Sequence, residues 1–395
     1  MNTYYLFLKS YPTHVGFGFL LTFFSSLGQT FLISLYVPHI LLELGISNSA
    51  FGAIYAVATI GSALLLVNFG GLIDHRPLPA YLYKTIGVLG AASVLLGLTH
   101  HVALLLPALL GLRFGGQGLM THISHTVLGR HFEVDRGKAL SLASLGFSVG
   151  EMVFPIFIAL IIPLVGWRIS LVMNATLLLA VLLPALQFLP LDEFGPATDS
   201  TPHEVIEPVS RFALLKDRAF WTVAPSVVVL SLGTTGVFFY QLVLAQSRGW
   251  SAAWYSAVFS SYAASRFLFG LLGGALVDRF TAKKLYAVHL APLLFGLVVL
   301  GTTTEAWGAV VFLLSAGVSL GSSSSIKAAL FAELHGTEGY GRVRSTYTSF
   351  MVAGTALGPM LFGTLLDAGV GFPTILVGTG VLLAAAALPT LSFSL

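Results

Sequence analysis

No cysteine occurs among the 395 residues, so disulfides, thiolate-ligated zinc and thiolate nucleophiles are excluded. Charge is nearly as scarce. Only 9% of positions carry one, against about a quarter in an average soluble domain. That leaves too little polar side chain to coat a water-exposed globule of this size. No basic run is long enough to track a phosphate backbone, and the sequence pI near 9.0 reflects lysines and arginines scattered in loops. A soluble enzyme, a disordered chain and a nucleic-acid binder are all excluded. What is present is apolar: 56% of residues, a mean hydropathy of +0.90, and several runs of about 20 residues that suit a bilayer. The start, MNTYYLFLKSYPTHVG, lacks the basic head, short apolar core and cleavage site of a secretory signal. Its first apolar segment is therefore expected to remain as a spanning helix.

A crossing needs about 20 helical residues, so this length allows roughly twelve. The expected spans are 15–41, 50–73, 80–99, 102–128, 138–163, 168–190, 219–246, 251–277, 284–303, 307–332, 343–367 and 373–393. Turn and charge chemistry sets the breaks, as at Asp74-His75-Arg76-Pro77, Gly166-Trp167-Arg168 and Arg248-Gly249-Trp250. With the N-terminus inside, 14 of the 19 lysines and arginines fall on the cytoplasmic side and only Arg168 and Arg248 outside. This asymmetry predicts both termini in the cytoplasm, in a cell inner membrane.

Residues 191–217 break the apolar rhythm with three prolines and six acids, and read as a cytoplasmic linker. Six spans lie on each side, in an N-terminal bundle over 1–190 and a C-terminal bundle over 218–395. The halves echo each other: Gly70-Gly71-Leu72-Ile73-Asp74 ends the second span and Gly273-Gly274-Ala275-Leu276-Val277-Asp278 the eighth. The offset (278 − 74 = 204) is about half the chain. The expectation is an all-α membrane protein of twelve transmembrane helices in two pseudo-symmetric six-helix bundles, the architecture of an alternating-access carrier.

At the residue level the chain resembles a major facilitator superfamily transporter over its whole length. Gly70-Gly71-Leu72-Ile73-Asp74-His75-Arg76 is similar to the family's loop motif, and Arg113-Phe-Gly-Gly-Gln117-Gly118 to its Arg-x-x-x-Gln-Gly element. Gly146-x-x-x-Gly150-Glu151-x-x-x-Pro155 departs from the Gly-Pro motif of drug–proton antiporters. Ser265-Arg266-Phe267-Leu268-Phe269-Gly270 resembles the arginine element of monocarboxylate and oxalate–formate carriers, with Tyr262 where an aspartate is usual. The resemblance implies that Arg266 holds a substrate carboxylate. It also implies that Asp74, in the loop motif with Gly71 and Arg76, acts as a conformational latch; Asp278 with Arg279 offers a second gate pair, with a plain loop turn and topology signal as the alternative for both and the favoured reading for Asp278.

Four ionisable residues, Arg113, Glu151, Arg266 and Lys327, fall inside spans. Each would cost about 2.5–3.5 kcal/mol at a helix centre facing lipid, so all four are expected to face the protein interior or a wet cavity. Glu151 shares a face with Ser141, Ser144 and Ser148. It is either a proton carrier coupled to Arg113 or a permanent ion pair with it. Arg266 shares a face with Phe259 and Tyr262, and its planar fork of donors suits a carboxylate. Lys327 follows Ser319 and Ser323 at four-residue steps; it binds substrate, snorkels, or pairs with an acid near Glu333.

Ser25 and Gln29 in the first span, Gln241 in the seventh and Tyr347 in the eleventh are candidate cavity residues, with helix packing as the alternative for the small ones. His122 and His125 lie three apart, with no third ligand on their face, so packing or a proton relay is expected there and no metal. No cofactor is called for. The expected partners are protons, the lipid bilayer and an anionic small molecule, with no nucleic acid and the chain acting as a monomer. Three functions compete: proton-coupled symport of a small organic anion, proton-driven efflux of apolar or cationic compounds, and a membrane-embedded enzyme or sensor.

Overall fold

The computed structural model describes residues 2–132, 135–189, 191, 194, 211–336 and 340–393. Contacts divide the chain into two compact units, Met1–Ile46 with Val57–Thr201, and Ser47–Ala56 with Pro202–Leu395. Among the described residues the regular structure is entirely helical.

The first unit begins with α1 (Asn2–Ser10), α2 (Pro12–Ser25), α3 (Thr30–Ile33) and α4 (Val37–Leu44). Next comes α5 (Asn48–Phe69), whose first turns group with the second unit. A 3-10 turn over Gly70–Asp74 leads to α6 (Leu78–Gly97), then α7 (Leu105–Leu112), a π-helical stretch (Arg113–Met120) and α8 (Thr121–His131). The long α9 (Arg136–Ala185) is two limbs, Arg136–Val165 and Trp167–Ala185, turned at Gly166 with φ 82°. A side chain disfavours that backbone, so a glycine there serves a stop between two apolar runs.

The second unit holds α10 (Arg211–Lys216), α11 (Arg218–Phe239), α12 (Gln241–Ser247), α13 (Ala252–Phe280), α14 (Ala282–Val288), α15 (Ala291–Thr302), α16 (Trp307–His335), α17 (Tyr340–Asp367) and α18 (Phe372–Ala387). Capping fixes the starts. The Asp217 carboxylate accepts from Ala219 N at 2.9 Å to open α11, and the Ser251 hydroxyl accepts from Trp254 N at 3.1 Å to open α13.

Among the described residues, ten helical stretches are long and apolar enough to cross a bilayer. The two remaining expected spans look different. Span 15–41 is broken into α2, a 3-10 turn, α3 and α4. Span 251–277 is the 29-residue α13, its apolar pattern interrupted by Arg266, Asp278 and Arg279. The expected linker also ends earlier, since α10 occupies 211–216; most of 191–210 lies outside the described residues.

Small residues let the helices touch. A Cβ built on Gly146 would lie 2.2 Å from Phe19 O, and one on Gly150 2.1 Å from Ser26 Oγ, so α9 rests directly on α2. In the second unit Gly317 and Gly321 meet Tyr262, Ser265 and Arg266 with the same intimacy, pressing α16 onto α13. Close backbone approach through small residues is how helices associate where the solvent is itself apolar.

Candidate functional site

In the first unit the site forms around a broken helix. Ser26–Gly28 tighten to 3-10 geometry and Gln29 is extended (φ −85°, ψ 150°), which frees carbonyls from the helical ladder. Arg113 opens the π-helical stretch, is 1% exposed, and directs Nη1 to Gly28 O at 3.3 Å and Thr30 Oγ1 at 3.4 Å. The widened turn of a π-helix re-aims side chains and is frequent at functional positions. Backbones meet here as well: a Cβ on Gly28 would lie 2.1 Å from Leu112 O, and one on Gly116 2.7 Å from Gly28 Cα.

Glu151 is 6% exposed and follows Gly150, where a built Cβ would lie 2.1 Å from Ser26 Oγ, so α9 meets the break one residue before Glu151 while Arg113 meets it from the π-helical stretch. The expected serine stripe is not what α9 buries. Ala143, Gly146 and Gly150 share the inward face with Glu151, while Ser141 is exposed. The glycines win because they allow the closest approach to α2. Ser144 instead returns its hydroxyl to Leu140 O and meets His125 Nε2 at 3.3 Å.

Other first-unit candidates have local partners. Ser25 Oγ donates to Thr22 O at 2.6 Å within its own helix. Gln29 is half-buried at the break. His122 Nε2 lies 3.0 Å from Gly70 O, tying α8 to the 70–74 turn. Gly71 and Arg76 are exposed, and Asp74 pairs with Arg130 at the end of α8. A clamp unforeseen in the sequence joins Glu43 to Trp167 Nε1 at 2.6 Å and to Arg168 Nε and Nη2 at 2.9 and 2.8 Å. The Arg168 hydrogen bonds hold the Glu43 carboxyl below the usual carboxylate range.

In the second unit, Gln241 is the first residue of α12, directly after the interruption at Tyr240, and is 2% exposed. Gln29 and Gln241 thus each mark the break in the first long helical path of their unit. Arg266 is half-buried, its Cζ 5.9 Å from the Tyr262 ring centroid, and that ring packs on Phe238 (4.9 Å) and Phe259 (5.1 Å). Lys327 is half-buried, interacts electrostatically with Arg266, and makes no hydrogen bond or ion pair with a described residue. Glu333, the nearest acid in sequence, is committed elsewhere, accepting from Ala282 N at 2.8 Å and Lys283 N at 3.2 Å to start α14.

Tyr347 is not open to a cavity. It stacks on Phe331 at 4.1 Å, and its hydroxyl meets His335 Nε2 at 3.3 Å while His335 Nδ1 faces Asp217 at 3.0 Å. Asp278 is exposed, and Arg279 lies 5.1 Å from the Phe280 ring. Among the described residues no three His, Asp or Glu side chains group as metal ligands.

Intramembrane charges set beside interrupted helices define a membrane carrier fold, and comparison with known proteins agrees. The family profile described as Major Facilitator Superfamily matches residues 18–259 and 227–395. The chain belongs to the Major Facilitator Superfamily and is a multi-pass membrane transporter, not an enzyme. No curated protein sequence matches it. Among solved structures it is similar to a bacterial homolog of the human lysosomal transporter Spinster, in an inward-facing and unoccupied conformation. That likeness has a TM-score of 0.79 and 16% identity over 97% of each chain. It is also similar to the nucleoside transporter NupG, with a TM-score of 0.76 and 13% identity over 96% of this chain and 99% of that one. Identities this low speak to the fold alone.

Proposed function

We propose that the protein is a proton-coupled, alternating-access symporter of a small organic anion. The observation carrying this reading is the pair Arg266 and Lys327. Two cations are electrostatic neighbours within the second unit, and Lys327 has no acidic partner among the described residues. Each costs about 2.5–3.5 kcal/mol in an apolar span, and like charge adds to the cost. An anion between them would relieve both terms. Arg266 supplies a two-donor fork and Lys327 a mobile point charge. The Tyr262 ring lies beside the guanidinium, and Phe238 and Phe259 pack on that ring, an apolar surface that suits the carbon part of the ligand.

Glu151 and Arg113 are the coupling residues in the first unit, set about the Ser26–Gln29 break. Both termini face the cytoplasm of a cell inner membrane, on the 14-to-2 loop asymmetry, and the chain works as a monomer. An efflux role for cations has less support, because Glu151 is the sole acid deep within a span. The test is thermal unfolding against a panel of carboxylates, phosphate esters, nucleosides and hydrophobic cations. Carboxylates or phosphate esters should raise the melting temperature of the wild type and leave Arg266→Gln and Lys327→Gln unmoved. Stabilisation by cations alone would reject the reading.

A further inference from the structure

His289 stands where the path from Ala282 to Thr302 is interrupted between α14 and α15, just before Pro292. Its ring lies 4.6 Å from the Tyr286 ring and is 7% exposed. Nδ1 is 2.8 Å from the Tyr286 carbonyl oxygen. A carbonyl can only accept, so Nδ1 carries the hydrogen and Nε2 of the neutral ring presents its lone pair. That Nε2 is sealed from solvent and has no hydrogen-bond partner among the described residues. Buried polar atoms are rarely left so, and each exception calls for a reason.

Facing the interruption, α16 sets Ser319, Ser323 and Lys327 in a row. Ser319 Oγ accepts the Leu293 N–H at 3.0 Å, a donor that the restarting helix leaves over. Ser323 Oγ is as sealed and unpartnered as His289 Nε2. Lys327 acts electrostatically on His289 and also on Arg266. Among the described residues, no charged group other than Lys327 acts electrostatically on His289. Tyr286 gives its hydroxyl to the Ser226 pair at 2.8 Å, α18 and Leu388–Phe393 carry no charged residue, Glu333 is spent on the first amides of α14, and Lys283 and Lys284 sit at that helix's start.

We propose that His289 Nε2 is a proton-binding site of the second unit, loaded when an anion settles on Lys327 and Arg266. The inference rests on the anion reading given above. Without an anion, the Lys327 ammonium opposes a second positive charge on the ring. An anion against Lys327 cancels that opposition, and one N–H bond forms at Nε2 with a proton drawn from water. The added positive charge balances the anion's negative one, and nothing is oxidised or reduced. The imidazolium keeps its Nδ1–H bond to Tyr286 O and gains the face of the Tyr286 ring. Since binding linkage is reciprocal, proton and anion then favour each other's entry, which is symport in its thermodynamic form.

The test is calorimetry on the purified full chain near neutral pH, in two buffers of different ionisation enthalpy, with lactate, succinate and glycerol 3-phosphate as probes. Wild type should take up about one proton per anion bound. H289Q keeps a donor for Tyr286 O and an acceptor at the Nε2 side but holds no proton. It should still bind the anion while proton uptake falls at least about tenfold. Uptake unchanged in H289Q, with binding intact, overturns the proposal. If none of the three probes binds wild type, the anion reading fails and takes this inference with it, a result distinct from binding without loss of coupling. Should H289Q not fold, the infrared difference spectrum of wild type on anion addition decides. New imidazolium bands uphold the site, and a new protonated-carboxyl band with no imidazole change refutes it.

Discussion

Arg113 Nη1 lies 3.3 Å from the Gly28 carbonyl oxygen, and this bond joins the π-helical turn of one span to the break in another. The carbonyl is free because Gln29 leaves helical geometry, and the guanidinium is in reach because the π-turn re-aims Arg113. Arg113→Lys keeps the charge but loses the planar fork. Leaving buried polar groups at the break unmatched should cost about 1–3 kcal/mol, read as a lower midpoint of thermal unfolding in detergent. An unchanged midpoint would mean that the break holds its shape without the guanidinium.

Contact between Gly28 and the Leu112–Gly116 backbone leaves no room for a methyl group. Gly28→Ala would place Cβ 2.1 Å from Leu112 O. The backbones must then part, at a cost of about 1–3 kcal/mol or more. Gly16 has nothing within 4 Å of a built Cβ, so Gly16→Ala is the control and should be neutral or slightly stabilising. Equal behaviour of the two variants in thermal unfolding would contradict the packing described.

The ion pair of Asp74 with Arg130 has side chains 42% and 43% exposed, so its worth to stability is small, about 0–1 kcal/mol. Its consequence should be kinetic. Arg130→Gln should change the rate of transport while moving the melting temperature little, and the charge swap D74R with R130D should recover the rate. A swap as slow as the single variant would remove the latch.

Acid should loosen the Glu43 clamp, with a definite sign. Arg168 hydrogen bonds depress the Glu43 carboxyl in the folded chain. A depressed carboxylate contributes stability that is fully present above its unfolded value, about 4.3, and is lost as pH falls through its folded value. The contribution of Glu43 to the melting temperature should therefore hold level between neutral pH and about pH 5, and fade below the ordinary carboxylate range. Glu43→Gln should lack that part of the acid-side decline, and identical acid profiles for variant and wild type would refute the assignment.

Much of this was open to reading before any coordinates. Of the twelve expected spans, ten coincide with helical stretches that, among the described residues, are long and apolar enough to cross a bilayer, because a helix in lipid must satisfy its backbone internally. Arg113, Glu151, Arg266 and Lys327 stood out because ionised groups in such runs demand a cause. Serine periodicity misled on α9, since it is silent about which face glycine brings nearest to a neighbour. The break at Ser26–Gln29 gives little sign in hydropathy, and in the sequence Gln29 stands out for its amide rather than for its backbone. For His289 the available signal is the Leu290-Ala291-Pro292 sequence after it, which marks an interrupted helix. Sequence proximity pairs Asp74 with Arg76, whereas Arg130, 56 positions away, is the residue it meets. Such pairings depend on how helices rotate against one another, which periodicity fixes only loosely.

Accumulation of radiolabelled lactate by reconstituted vesicles, with acid outside and neutral buffer within, probes the carrier mechanism most directly. Wild type should concentrate lactate above the outside level, collapse of the proton gradient should abolish this, and Arg266→Gln should lower initial uptake at least about tenfold through loss of the guanidinium fork. Accumulation in Arg266→Gln equal to wild type, or indifferent to the gradient in both, would contradict the account.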